Sequence, residues 1–565
     1  MKRTNILTIM TCLGINIAIA CLAIFVFGTN IYIKDDYTIC YMAYGIMSEA
    51  SSRVYYSNAI LGWIYKHLFE LIPKFNWQTF IHYLGLVFAG TVGLYTVQKK
   101  DNKVFIALWF IFEIVFFHDV YVVLTFSVVA AYAACQGYLA LFMAVNEERV
   151  NGSLCAVSGL VLVFSSLARF DSFIGISGFA FVSWFIFTYT ALQKKMDTSE
   201  VIKRYLYPFA TIIGVCFILY GIDRFSYTKG DWKLYKERES AISIVTDYRD
   251  SPNMMDLETL SELGINESMT RAVIEWRSND PEILTTDVFE RMAETRKKYN
   301  YLTSPYVWKD YNSQWGVIFT DYREVYFALL VLGYLMFSVW DKEKNIVKCL
   351  PMLLLVPFFL EFFYFAFIGR LDGGEYTDRS IYTVLMGLAM GALSLYGVMA
   401  NGKKIKSYQS KIWIVIMLLA AISVFPTRDF KPKGLGLVDA RSISEKYGFL
   451  GNPGKVYICD YSVSTLIADS YGAWQTPDEG FMDQCVFIGD WLVGHPMRMN
   501  QQIALGAENP YRALFENEDV YYATKKNFSD MILKYLQENY DDRISLTYIK
   551  EKGELKIFKF SLEKQ

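Results

Sequence analysis

Histidine is nearly missing from this chain: four residues in 565. Its nine cysteines form no CxxC pair and no Cys/His cluster at zinc spacing. A metal centre built on imidazole or thiolate is therefore excluded. Charge is also thin, at 20% of residues, where a soluble domain carries about 25%. A basic excess is absent too, with a net charge of -2 and a pI near 6.2, which argues against a nucleic-acid partner. No internal repeat or low-complexity tract is visible. That removes the repeat-built solenoids and counts against transporters assembled from inverted repeats.

What the chain has instead is grease. Hydrophobic residues make up 53% and aromatics 17%, and the mean hydropathy is +0.23. Apolar windows of roughly 18 or more residues, each able to cross about 30 Å of hydrocarbon, recur along most of the sequence. The pattern predicts a polytopic α-helical membrane protein with about eleven transmembrane helices, at 6–27, 77–97, 104–117, 120–144, 153–168, 172–192, 205–221, 324–340, 349–368, 380–399 and 412–426. Met1-Lys2-Arg3 before the run Ile6 to Phe27 resembles a signal sequence, but the run is long and no A-x-A site follows. It reads as an uncleaved first span. Lysine and arginine gather in alternate connections, with Lys99, Lys100, Lys194, Lys195, Lys403 and Lys404 on one side. This bias predicts a cytoplasmic N-terminus and an outer C-terminus.

Three outer pieces follow from that orientation. Residues 28–76 form a long first loop, in which 38–72, rich in tyrosine, reads as interfacial helices rather than another span. Residues 222–323 carry a helix-like unit at 256–298. The tail, 427–565, reads as strand (Lys455–Cys459), helix, strand (Asp519–Thr524), helix (Ser529–Tyr540) and a hairpin around Gly553. The chain thus divides into a transmembrane module, 1–426 with outer loops 28–76 and 222–323, and an extracytoplasmic C-terminal α/β domain, 427–565. Cys459 and Cys485 would pair in an oxidising compartment, and two buried free thiols are the other reading.

Ionisable groups collect at the outer ends of the spans. Lys34-Asp35-Asp36-Tyr37 follows the first span, His118-Asp119 lies between the third and fourth, and Arg169-Phe170-Asp171 between the fifth and sixth. Gly369 to Arg379 turns between the ninth and tenth and carries Arg370 and Arg379. Arginine suits phosphate and carboxylate suits a proton or a cation, so this face fits an anionic lipid head group. Helix capping and snorkelling are the alternative uses of the same arginines. Glu113 and Glu361 lie inside spans, where a charge faces the bundle interior or a cavity. They either pair with an arginine or line a substrate cleft.

A first span, then an outward Asp35-Asp36, then interfacial helices resembles the GT-C superfamily of membrane glycosyltransferases, which includes protein O-mannosyltransferases, oligosaccharyltransferase catalytic subunits and aminoarabinose transferases. Asp119 and the tail match the same layout. More narrowly, Thr125-Phe126-Ser127, Leu167 to Ser172, Trp232 to Tyr248 and Gly489-Asp490-Trp491 resemble a bacterial GT-C-like group associated with surface polysaccharide. Thr125 stands where that group carries glutamine and Asp490 where it carries glycine.

The resemblance implies a GT-C-like fold and a sugar donor on a polyprenyl phosphate or pyrophosphate. The acceptor is a cell-envelope glycan or similar lipid-linked molecule, and displacement is inverting. A phosphate leaving group needs positive charge rather than a general acid, so one carboxylate base suffices. Asp35 or Asp36 is the implied base. Asp119 assists as a metal ligand or by orienting the acceptor, and Arg169, Arg370 and Arg379 are candidates for the phosphate. Glu361 and Arg238 join the substrate-binding set, with Arg238, Asp247 and Tyr248 roofing the cleft. Were a metal required, Asp35 and Asp119 would hold Mg2+ or Mn2+. Trp232 and Trp491 would stack on sugar or pack a core. Two other classes compete: a polysaccharide transporter, flippase or polymerase, and a non-catalytic envelope assembly protein on the same scaffold.

Overall fold

A computed structural model of the chain describes residues 3–31, 34–46, 49–246, 257–297, 315–339, 349–363, 377–399, 407–428, 430, 433–489, 492–526 and 528–563. Among these, seven helices are long and apolar enough to cross a membrane by length and composition. The chain is a multi-pass membrane protein. The long helices are α1 (Arg3–Leu22, continued by a wide turn to Phe27), α4 (Trp77–Gln98), α5 (Lys103–Phe117, continued to Val122), α6 (Phe126–Val145), α8 (Phe170–Gln193), α9 (Thr198–Ser226) and Arg379–Met399. Shorter apolar helices, α7 (Gly152–Ala168), Glu324–Ser338 and Lys411–Thr427, join them. The expected span at 349–368 coincides in part with the helix Pro351–Phe363.

Helix α6 runs through the middle of the bundle, with every residue of its apolar window buried. Its Ala130, Ala131, Ala133, Ala134, Gly137 and Ala140 are small enough to let α4, α7, α8 and Thr377–Met399 approach closely, the way helices associate where hydrophobicity gives no drive. The expected span at 120–144 starts later than its hydropathy suggests. Residues 118–122 form a widened π turn, 123–124 a short strand, and Thr125 is the N-cap of α6, its hydroxyl accepting from Val128 N at 3.2 Å.

That short strand (β2, Val123–Leu124) pairs in parallel with β1 (Asn30–Ile31), Asn30 opposite Val123 and Ile31 opposite Leu124. The exits of α1 and α5 are thereby clamped side by side. Two outer helices follow β1: α2 (Lys34–Tyr44) and α3 (Ala59–Leu71). At 13 residues, α3 rises only about 20 Å, too short to span. It buries Leu61, Tyr65 and Phe69 while exposing Trp63 and Leu71, as an interfacial helix does.

The tail folds around a five-stranded sheet, order β4-β3-β5-β7-β6, with β3 (Val456–Cys459), β4 (Cys485–Phe487), β5 (Val520–Thr524), β6 (Ile544–Lys552) and β7 (Leu555–Leu562). The first three strands are parallel and the last two form an antiparallel hairpin. Its two faces go to different partners, following the period of two along each strand. Tyr457, Cys459, Cys485, Phe487 and Ala523 share a core with α2 and α3. Val456, Ile458, Val486, Val520 and Tyr522 share one with Ala241 to Ala293 of the second outer loop.

The second long loop packs on this sheet. The helices α10 (Asp231–Thr246), Leu257–Glu262, Glu267–Ile274 and Thr286–Lys297 cover the sheet instead of belonging to the membrane bundle. Backbone ties confirm the union: Asn279 N donates to Ile488 O at 3.0 Å and its side chain to Phe487 O at 2.9 Å. Gly489 accounts for part of the Gly489-Asp490-Trp491 motif, since a Cβ there would stand 1.7 Å from Trp276 O. Cys459 and Cys485 are free thiols on neighbouring strands.

Candidate functional site

The β1–β2 clamp decides where the first acidic pair goes. Asp35 and Asp36 occupy the first turn of α2, where helix amides favour negative charge. Neighbours on a helix point about 100° apart, and the two carboxylates meet different surroundings. Asp36 turns inward, with 2% of its surface exposed. Its Oδ1 accepts from Phe126 N at 2.9 Å and from Gln78 Nε2 at 3.3 Å, so it satisfies one of the open amides at the start of α6 from another segment. Its Oδ2 has no hydrogen-bond partner among the described residues. Burial raises the Asp36 carboxyl well above the usual range and Asp35 adds to this, while the Phe126 amide, Arg379 and Arg169 act the other way.

Asp35 faces Arg379 instead, its Oδ2 3.5 Å from Nη1, with the two side chains 13% and 15% exposed. Arg379 begins the span Arg379–Met399 and lines a cavity of about 130 Å3 together with His118, Asp119, Thr125, Tyr382 and Arg428. Asp119 sits in the π turn after α5. Its Oδ1 is 3.3 Å from His118 Nδ1 and its Oδ2 3.4 Å from Arg428 Nε. Arg428 also donates to Glu324 Oε1 at 2.7 Å and to the Tyr382 hydroxyl. Burial pulls the Arg428 guanidinium down, but Asp119 and Glu324 more than offset it and hold the group above its ordinary value. Two arginines and a carboxylate thus line one small cavity at the end of the bundle that carries α2, with Asp35 adjoining through Arg379.

Arg169 is the single extended residue between α7 and α8. Its guanidinium pairs with Asp171 at 2.8 Å and lies over the rings of Tyr56, at 4.6 Å, and Phe126, at 5.3 Å. It therefore backs the residue whose amide holds Asp36. Arg238 is elsewhere. It donates to Ser278 O and Leu284 O inside the outer loop, at 2.9 and 3.2 Å, and burial lowers it to about 10. Its Nη2 thus braces the helices that cover the sheet. Trp232 packs between Arg53 and His495. Among the described residues Glu113 meets no arginine; it accepts from Tyr132 at 2.8 Å, Gln136 at 3.1 Å and Tyr121 at 3.4 Å inside the bundle. Arg370, Asp247, Tyr248, Asp490 and Trp491, and the side chain of Glu361, lie outside the described residues.

A divalent cation does not suit this arrangement. Asp35 and Asp119 are each faced by an arginine, and among the described residues no three His, Cys, Asp or Glu side chains gather as a metal cradle. The sequence reading missed Arg428, Tyr382 and Glu324. Arg428 follows the last span as Arg169 follows α7, and the same outer-end logic reaches it once the tail is counted with the membrane face.

No protein-family model and no curated protein matches the chain. Among solved structures it is similar to ArnT from Cupriavidus metallidurans bound to undecaprenyl phosphate, at 9% identity and a TM-score of 0.36, over 98% of this chain and 97% of that one.

Proposed function

We propose that the chain is a membrane glycosyltransferase of GT-C type. It would transfer a sugar from a polyprenyl phosphate or pyrophosphate donor to a cell-envelope glycan or similar acceptor, on the outer face of a cell membrane whose inner side holds the N-terminus. The observation that carries this reading is the Asp35–Arg379 pair beside a cavity that Arg379 shares with Arg428, His118 and Asp119. In an inverting displacement the acceptor oxygen attacks the anomeric carbon, the bond from that carbon to the phosphate oxygen breaks, and its electron pair leaves on the phosphate. Arg379 would meet that anion. Asp35 takes the acceptor proton. Asp36, held by the Phe126 amide and Gln78, is assigned the positioning of α2 against α6, and Asp119 holds Arg428 and orients the acceptor.

Proteoliposomes supplied with radiolabelled polyprenyl-phosphate sugars and envelope extract test this. Asp35→Asn is expected to lower transfer by about 100-fold or more at an unchanged melting temperature, while Asp36→Asn keeps measurable transfer. Undiminished transfer by Asp35→Asn removes the assigned base. Failure to consume any lipid-linked sugar donor, with natural protein and extract both present, removes the transferase reading.

A further inference from the structure

A second cavity, of about 200 Å3, opens at the outer ends of α7, α8 and α9, where the Tyr55–Asn58 loop and α10 close over it. We propose that it binds a single neutral sugar ring of a glycan. It lies one wall away from the carboxylates: Phe126 gives its amide to Asp36 on one side and its ring to Tyr56 and Arg169 on the other. The proposal does not depend on transfer.

Charge balance is the first support. Arg169, Arg224 and Lys236 enter the lining, but so does Asp223, and Asp171 holds Arg169 at 2.8 Å while Glu239 holds Lys236 at 2.6 Å. An anion would find two of the three cations already answered. A polyhydroxylated ligand, offering donors and acceptors together, matches guanidinium and carboxylate side by side. The rings are the second. Tyr220 stacks on Phe170 at 4.0 Å and 15°, and Tyr56 on Phe126 at 5.9 Å and 17°. Each tyrosine is thus held from behind and carries a guanidinium over its ring, Arg224 on Tyr220 at 4.8 Å and Arg169 on Tyr56 at 4.6 Å, so ring and guanidinium together wall the cavity for a pyranose.

Backbone strain is the third. Tyr55 and Tyr56 are consecutive non-glycine residues at φ of +56° and +22°. Such a conformation persists only when its surroundings impose it. Ser57 Oγ donates to Ala168 O at 2.9 Å, Asn58 N to Leu167 O at 2.9 Å, Asn58 Nδ2 to Leu219 O at 3.0 Å, and Ala59 N to Asp223 Oδ1 at 2.8 Å. The loop is stitched to α7 and α9 in a shape that brings both tyrosines to the cavity. The volume is below the roughly 300–1,000 Å3 of sites for drug-sized ligands, which suits one ring rather than an oligosaccharide.

The test uses the full chain in lipid nanodiscs and fluorescein-labelled maltotriose, cellotriose, mannotriose, galactotriose and chitotriose as probes. At least one is expected to bind saturably. Tyr220→Ala, and Arg224→Gln at an exposed position, should each weaken it about tenfold, while Tyr220→Phe, which keeps the ring, and Asp35→Asn leave it within about threefold. Asp35→Asn separates this site from the transfer reading. The proposal is overturned if no trisaccharide binds, if Tyr220→Ala and Arg224→Gln variants with natural melting behaviour bind as before, or if inorganic phosphate or phosphatidylglycerol in the disc displaces the sugar.

Discussion

Buried carboxylates in the sheet domain and at the membrane face are treated differently. Asp460, at the end of β3, accepts from Ser462 N at 2.9 Å, from the Ser462 hydroxyl, and from Tyr522 and Thr524 at 2.7 Å each. Asp280 accepts from Tyr535 at 2.9 Å and from Tyr540 at 2.8 Å, besides two amides of its own turn. Both oxygens of each group are used. At the membrane face Asp36, Asp119 and Glu324 each keep one buried oxygen without a hydrogen bond among the described residues, that of Asp119 lying 3.4 Å from Arg428 Nε. Leaving such an atom open costs about 1–3 kcal/mol. Hydroxyls and amides hold the carboxylates of the sheet domain, whereas Arg428 holds Asp119 and Glu324.

The largest effect expected from this contrast is at Arg428. Arg428→Gln leaves Asp119 and Glu324 buried without their cation and should destabilise the chain by about 3–5 kcal/mol, read as a fall in melting temperature. Adding Asp119→Asn to it should recover part of the loss. Unchanged melting in the single variant would mean that water already reaches these groups, and the contrast would fail. Next is Asp460→Asn. It retains the shape but replaces an acceptor by an amide donor opposite Tyr522 or Thr524, at about 1–3 kcal/mol, with no specific effect on transfer once stability is matched. Lost transfer at matched stability would place the sheet domain in the reaction.

The smallest effect concerns Asp36. Its folded carboxyl titrates well above the usual range, so the folded chain holds that proton more tightly than the unfolded one. The resulting stability is fully present below about pH 3.9 and is lost as pH rises toward the folded value. Asp36→Asn keeps an acceptor for the Phe126 amide and should flatten the decline of melting temperature with rising pH. A decline as steep as in the natural chain would assign it to another group.

Hydropathy alone located the long spans because a 20-residue apolar window has few other uses in a chain of this length. The tail strands were legible for a similar reason: Val456 to Cys459 and Val520 to Thr524 are short apolar runs bounded by turn residues. The start of α6 was not, since Val120 to Leu124 is as apolar as a helix, and the β1–β2 pairing that holds it out of α6 involves residues ninety positions apart. Arg238 shows the opposite limit. Its charge is visible in sequence, but its carbonyl partners 40 and 46 residues onward are not.

Composition and periodicity by themselves determined a multi-pass helical chain with polar groups at the ends of its spans, because lipid forces backbone polar groups into helices and expels charge from the hydrocarbon. Tertiary structure alone decided which carboxylate of Asp35-Asp36 is sealed and which faces Arg379, and that the second outer loop covers the sheet. Both depend on contacts between segments far apart in sequence, where no local spacing carries the information.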